Sequence, residues 1–165
     1  MQECNHNSSA AELVKQFTKP ADLSSLEFQN ILALWKKYTE EYGIDGGSLD
    51  EQFQIQRTEA QRELHRQMQI ILGDERHYAC LVQDGSLACL DSILRTRNLP
   101  KELLFKIKDV HWNALEKYRV LDANSFFSKK EKAEIHQQIH LKANRETESI
   151  LGKHIAEEFY QTWNK

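Results

Sequence analysis

Apolar side chains recur at helical spacing in two long stretches of the chain, and both stretches have the same boundaries. Residues 128–152 begin with Ser128 and Glu131, a Ser-x-x-Glu capping box that satisfies two backbone donors at a helix start. They end in Ile-Leu-Gly, and a glycine after a helix can adopt the left-handed conformation that closes it. Residues 48–73 have the same box, apolar spacing and ending. The pattern predicts two long helices at an offset of about 80 residues.

A further amphipathic helix is predicted before each long one. Residues 24–42 begin with another Ser-x-x-Glu box and place their large apolar side chains on one arc. Residues 100–121 begin with a proline, which suits the first turn of a helix, and carry a matching arc. Because short loops between helices favour antiparallel packing, we predict two related antiparallel hairpins, over 24–73 and 100–152.

The remaining segments are short, and none of them alternates apolar and polar residues as a strand does. Helices of one to three turns are predicted over 10–18, 74–83, 86–97 and 153–163. The sequence therefore predicts an all-α, bundle-like fold with short connecting helices. We expect an N-terminal tail and short helix over residues 1–20, followed by one helical domain. That domain spans 21–165 and contains two repeats, over about 24–83 and 100–163.

Composition limits the possible functions. With 40% hydrophobic and 28% charged residues among 165, the chain is ordinary for a globular domain. The net charge of -3 offers no electrostatic footprint for nucleic acid, and no apolar run is long enough for a membrane span. Residues 1–9 are polar, so we expect them to be disordered and expect no signal peptide in this chain.

The three cysteines have no zinc-ribbon or CxxC spacing. Cys80 and Cys89 are close enough in sequence to pair in an oxidising compartment. The alternative is two ordinary, partly buried thiols. The sequence leaves both possibilities open.

Several junction motifs carry a resemblance to known proteins. The run from Ile71 to Tyr78 (ILGDERHY), then Gln83-Asp84, Leu99-Pro100 and the Leu151-Gly152 ending resemble those of uncharacterised, internally duplicated helical proteins exported by bacteria. This resemblance covers roughly residues 25–163 and implies an extracytoplasmic location, periplasmic or secreted.

A second resemblance lies at the start of the last long helix. The segment Phe127–Glu131 (FSKKE) stands where periplasmic LTXXQ-type stress proteins have Leu-Thr-x-x-Gln, with Phe in place of Leu and Glu in place of Gln. Those proteins are small helical hairpin chaperones and metal-stress regulators. The likeness implies a hairpin that handles unfolded chains or metal ions.

Three histidines form the one constellation that predicts a site. His136 and His140 are four residues apart, so their imidazoles lie on one face of a helix. His111 lies in the apolar arc of the preceding helix, and an antiparallel hairpin centred near Ser125 places it level with the turn His136–His140. Three neutral imidazoles can bind zinc, nickel or copper. The competing interpretation is a set of structural histidines that bind hydrogen-bond partners in the core.

The aromatic residues have two interpretations as well. Phe126, Phe127, Phe159, Tyr160 and Trp163 are candidates for an exposed binding patch. Phe127 also precedes the N-cap Ser128, where an apolar staple is expected, and we favour the staple.

No nucleophile-base pair, phosphate-binding glycine loop or isolated carboxylate pair is evident, so we expect no enzymatic activity. Our first hypothesis is a non-enzymatic, extracytoplasmic helical module that binds another protein or an unfolded chain. The alternative is a metal-binding or metal-sensing helical protein that uses His111, His136 and His140. The metal content of protein purified without a histidine tag separates the two.

Overall fold

The computed structural model describes residues 9–43, 50–83 and 85–163, and all the regular structure in these ranges is helical. A 3-10 turn, Lys19–Ala21, follows the first of seven α-helices. The helices are α1 Ala10–Phe17, α2 Ser25–Tyr42, α3 Glu51–Leu81, α4 Gly85–Thr96, α5 Glu102–Ala123, α6 Lys129–Leu151 and α7 Lys153–Trp163. The described ranges contain no β-strand, so the prediction of an all-α fold is confirmed.

Two of the predicted capping boxes are present at the starts of α2 and α6. The Ser24 hydroxyl accepts a hydrogen bond from the Glu27 amide at 3.3 Å, and the Glu27 carboxylate accepts one from the Ser24 amide at 2.9 Å. Ser128 and Glu131 make the same pair of bonds at 3.3 and 2.8 Å. Each box satisfies backbone donors that a helix start leaves open, and this local chemistry fixes where both helices begin.

Helix α1 also begins with a capping box. The Ser9 hydroxyl accepts from the Glu12 amide, and the Glu12 carboxylate accepts from the Ser9 amide at 2.9 Å. The prediction of disorder over 1–9 is therefore wrong for Ser9, because its side chain and amide are both used. Residues 1–8 lie outside the described residues.

Helix α3 begins differently from the prediction. Its first residue is Glu51, and the Asp50 carboxylate accepts a hydrogen bond from the Phe53 amide at 2.7 Å. Asp50 therefore caps this helix, as a carboxylate at the N-cap position does. Residues 44–49, which include the predicted turn and the predicted cap Ser48, lie outside the described part of the chain.

The two Ile-Leu-Gly endings share one backbone conformation. Gly73 has φ 74° and ψ 165°, and Gly152 has φ 80° and ψ 148°. Gly73 divides α3 into two helical segments, and Gly152 separates α6 from α7. Residues with a Cβ rarely adopt these dihedrals, so glycine is required where each long helix breaks. That the two hairpins are copies of one unit stays a prediction.

Replacement of Gly152 by alanine is expected to lower the free energy of unfolding by about 1–3 kcal/mol. No atom lies within 4 Å of the added Cβ, so the loss comes from backbone strain alone. Gly85, at the start of α4, is the control, since its φ is not positive and its Cβ position is also open. Gly85→Ala should preserve stability or increase it. Denaturant unfolding tests the pair, and equal effects would contradict the strain argument.

The chain divides into two compact units. The first comprises Met1–Gly47 and Arg57–Gln83. In it, the start of α2 lies beside the part of α3 that follows Gly73, because Arg76 and Glu27 form an ion pair at 2.6 Å. The predicted antiparallel packing of 24–73 stays a prediction. Its core consists of Val14, Ala21, Ile31, Leu64, Met68, Leu72 and Cys80.

The second unit comprises Ser48–Gln56 and Asp84–Lys165. Its α5 and α6 form an antiparallel hairpin, joined by the short turn at residues 124–128. The most deeply buried side chains of this unit include Leu90, Leu94, Leu104, Ile107 and Phe159. The prediction that 21–165 fold as one domain of two repeats stays a prediction.

Candidate functional site

His111 is packed against an aromatic side chain in the second unit. Its ring stacks on Phe159 of α7, with the centroids 5.8 Å apart and the planes 21° apart. Burial lowers the pKa of His111 from 6.5 to about 4, because a charged imidazole loses its hydration there. The imidazole is therefore neutral at pH 7.

His136 and His140 have separate partners. The Nε2 atom of His136 lies 2.9 Å from a carboxylate oxygen of Asp122, and its ring lies 4.7 Å from the ring of Tyr118. His140 is exposed, and its Nε2 atom lies 3.2 Å from the side-chain nitrogen of Asn144. His136 thus links the start of α6 to the end of α5.

The hairpin register differs from the sequence prediction by about one helical turn. Tyr118, rather than His111, is the α5 residue whose ring contacts His136. Ala114 and Ala143 line one small cavity, so the level of His111 falls beyond Ala143 on α6. Two causes account for this difference. The turn is centred closer to 126 than to Ser125, and helical side chains lean toward the N-terminus of their own helix, which shifts the facing pairs.

In the described residues no group of three histidine, cysteine or acidic side chains has a geometry that can hold a metal ion. The contacts above give His111, His136 and His140 three different neighbourhoods. A zinc, nickel or copper site at these residues stays a prediction, and no contact within the hairpin adds support to it.

The structure has Cys80 and Cys89 as free thiols. Cys80 is buried, and burial raises its pKa to about 11 although Arg76 acts in the opposite direction. A thiol with this pKa is protonated at pH 7 and is a poor nucleophile.

The turn between α5 and α6, which we call the hairpin tip (residues 124–128), is tied by side-chain hydrogen bonds. The side-chain oxygen of Asn124 accepts from the Phe126 amide at 2.8 Å. The side-chain nitrogen of Asn124 donates to the Glu51 carboxylate at 3.0 Å. Together with the capping box at the start of α6, these bonds hold the backbone of the tip in one conformation.

The tip presents two phenylalanines to solvent. Phe126 is 93% exposed and Phe127 is 40% exposed. The apolar staple that we favoured for Phe127 stays a prediction, and the fourth residue of α6, on which it would pack, is Lys132. The predicted exposed patch is wrong for Phe159, because this side chain is fully buried. Tyr160 is only partly exposed. The side chain of Trp163 lies outside the described part of the structure.

Charged residues of both signs flank the phenylalanines. Lys129 and Lys130 are exposed, and neither forms an ion pair among the described residues. The Lys132 ammonium donates to the backbone carbonyl of Asp122 at 2.8 Å. Hydrogen bonds from Ser128 lower the pKa of the Glu131 carboxyl group, so this residue is anionic at pH 7. The exposed phenylalanines of the hairpin tip are thus followed directly by charged residues of both signs at the start of α6.

Comparison with protein-family models, curated proteins and solved structures found no match to this chain. The resemblances to exported duplicated proteins and to LTXXQ-type proteins stay predictions. Within the described helices, none combines the length and apolar character needed to cross a lipid bilayer. Inferences about function therefore depend on the surfaces described above.

Proposed function

We propose that this chain is a non-enzymatic helical module that binds a protein partner through the hairpin tip. The observation that carries the proposal is Phe126, a large apolar side chain that is 93% exposed at the end of an ordered hairpin. A phenyl ring in this position contributes little to the fold. It has its whole apolar surface available for a partner.

Energetics support a binding role for the tip. Burial of one phenylalanine side chain in a partner is worth about 1.5–3 kcal/mol. The bonds through Asn124 order the backbone of Phe126 before any partner arrives, so less conformational entropy is lost on binding. Aromatic anchors with a polar rim are the usual composition of strong interface positions.

The shape of the tip favours a folded partner over an unfolded chain. A hairpin end that projects one phenyl ring fits a pocket, whereas an unfolded chain is better matched by a groove or a flat apolar surface. We therefore propose a folded protein with an apolar pocket as the partner.

We also propose that this partner is met outside the cytoplasm. The support is the resemblance of the helix-junction motifs to exported helical proteins of bacteria. Fractionation of the native cells tests the location, and recovery of the protein in the cytoplasmic fraction alone would contradict it.

The tip proposal is tested by photo-crosslinking followed by affinity measurement. A photoreactive phenylalanine analogue at position 126, in the cells that make the protein, should yield one discrete adduct, from which the partner is identified. Phe126→Ser should then weaken the dissociation constant for the purified partner at least tenfold, or by about 1.4 kcal/mol. Because the side chain is exposed, the variant should fold normally.

Leu26 on α2 supplies the matched control, since it is an apolar residue with 68% exposure in the first unit. Leu26→Ser should leave the affinity unchanged. If Phe126→Ser and Leu26→Ser have equal effects, or if Phe126→Ser binds as the wild type does, the tip is not the contact surface.

A further inference from the structure

The first unit contains an open groove of about 690 Å³ between the end of α1, the 3-10 turn and the first two turns of α2. Its apolar lining consists of Leu23, Phe28 and Leu32, which are all partly exposed. Phe28 and Leu32 are four residues apart on α2 and also pack against the buried core of the unit. The groove is therefore a surface with a rigid apolar base. Its volume is within the range of known ligand sites.

Charge distinguishes this groove from an ordinary surface depression. Lys15 at the end of α1 and Lys19 in the 3-10 turn both line it. Both residues are exposed, and neither forms an ion pair among the described residues. Asp22 is the one acidic residue in the lining, so cations outnumber carboxylates two to one. The groove thus has an apolar base and a positive edge.

Helix geometry limits what fits there. The lining residues of α2 are Ser25, Phe28, Gln29 and Leu32, a stripe that follows one face for two turns, or about 10 Å. Helices α1 and α2 pack on each other and leave the groove along their junction. A third helix laid along such a junction contacts both walls and buries an apolar stripe, as in helix-in-groove recognition.

We propose that this groove binds a short amphipathic helix of another protein, about two turns long, with acidic side chains along the flank that faces Lys15 and Lys19. The apolar stripe of that helix contacts Leu23, Phe28 and Leu32. Its carboxylates pair with the two ammonium groups. This site contains none of the hairpin-tip residues, so it does not depend on the proposed function of the tip.

Three synthetic, fluorescein-labelled peptides of twelve residues test the proposal against the purified full chain by fluorescence anisotropy. The first has leucines at helical spacing and glutamates on one flank. The second has lysines in place of the glutamates, and the third is a scrambled version of the first. The acidic amphipathic peptide should bind at least tenfold tighter than the other two, and its affinity should fall as salt is raised.

Charge reversal in the protein separates this groove from the rest of the surface. The double variant Lys15→Glu, Lys19→Glu should weaken binding of the acidic peptide about tenfold or more. Lys36→Glu, Lys37→Glu, an exposed pair on α2 outside the lining, should leave it unchanged. Both changes lie on exposed positions, and circular dichroism checks that the variants stay helical.

Three results would overturn the proposal. The first is equal binding of all three peptides, and the second is equal loss of affinity in the two double variants. The third is binding to anionic phosphatidylglycerol vesicles that Lys15→Glu, Lys19→Glu abolishes while the peptides do not bind. That third outcome would assign the groove to a lipid surface. The test of the groove is independent of the tip experiment, so a failure of the tip experiment would not change the peptide result.

Discussion

Replacement of Phe159 by alanine is expected to lower the free energy of unfolding by about 3–5 kcal/mol. Phe159 is fully buried on α7, where its ring stacks on His111 of α5 at 5.8 Å and lies 5.6 Å from Tyr160. Truncation removes the apolar contacts and leaves a cavity between helices that cannot collapse fully. The measurement is denaturant unfolding followed by circular dichroism at constant pH.

Phe126 provides a control of the same residue type. It is 93% exposed, so Phe126→Ala should change stability by less than about 0.5 kcal/mol. Because the chain has two compact units, unfolding can show two transitions, and the loss from Phe159→Ala belongs to the transition of the second unit. Losses of similar size for both alanine variants would contradict the assigned burial of Phe159.

Local chemistry explains why most of the fold could be predicted. The helix starts at Ser24 and Ser128 depend on hydrogen bonds within four residues, and the breaks at Gly73 and Gly152 depend on the dihedrals of one residue. None of these features needs a distant part of the chain. An amphipathic arc between such boundaries then determines that the segment is a helix and which face is buried.

The packing partners could not be obtained in the same way. An apolar arc shows which face is buried but not against which residue, and a shift of one turn keeps every apolar contact acceptable. The predicted meeting of His111 with His136–His140 depended on such a register. Ile139 illustrates the same limit, because it belongs to the apolar stripe of α6 and is nevertheless only partly buried. Leu64, in the apolar stripe of α3, is only 6% exposed.

The hairpin tip was part of a candidate patch in the sequence, but the patch was not the favoured interpretation, for a related reason. Phe126 and Phe127 were visible in the sequence, but the cap that follows them offered a local explanation for the aromatic character. The sequence also contained an observation against the staple, because Lys132 occupies the position in α6 on which Phe127 would pack. The tie from Asn124 to Glu51 joins residues far apart in the chain, and no local pattern predicts it.

Acidification from pH 7 to pH 5 is expected to lower the stability of the second unit by about 1–2 kcal/mol through His111 alone. The pKa of His111 is about 4 in the folded protein, below its ordinary value of 6.5, because burial disfavours the charged ring. Between these two values the unfolded chain binds a proton that the folded chain does not. The contribution of neutral His111 to the free energy of unfolding is therefore complete above pH 6.5, and it is lost as the pH falls toward 4.

Denaturant unfolding of the wild type and of His111→Gln at several pH values isolates this contribution. The variant should be less stable at pH 7, but it should lose about 1–2 kcal/mol less than the wild type on going to pH 5. His154→Gln, an exposed position on α7, should retain the wild-type pH dependence. The carboxyl groups of Glu27 and Glu63 have pKa values lowered to about 2, so their stabilising effect is lost only at more acidic pH. An unchanged slope in His111→Gln would mean that another group takes up the proton, and that the His111 ring is hydrated in spite of its contact with Phe159.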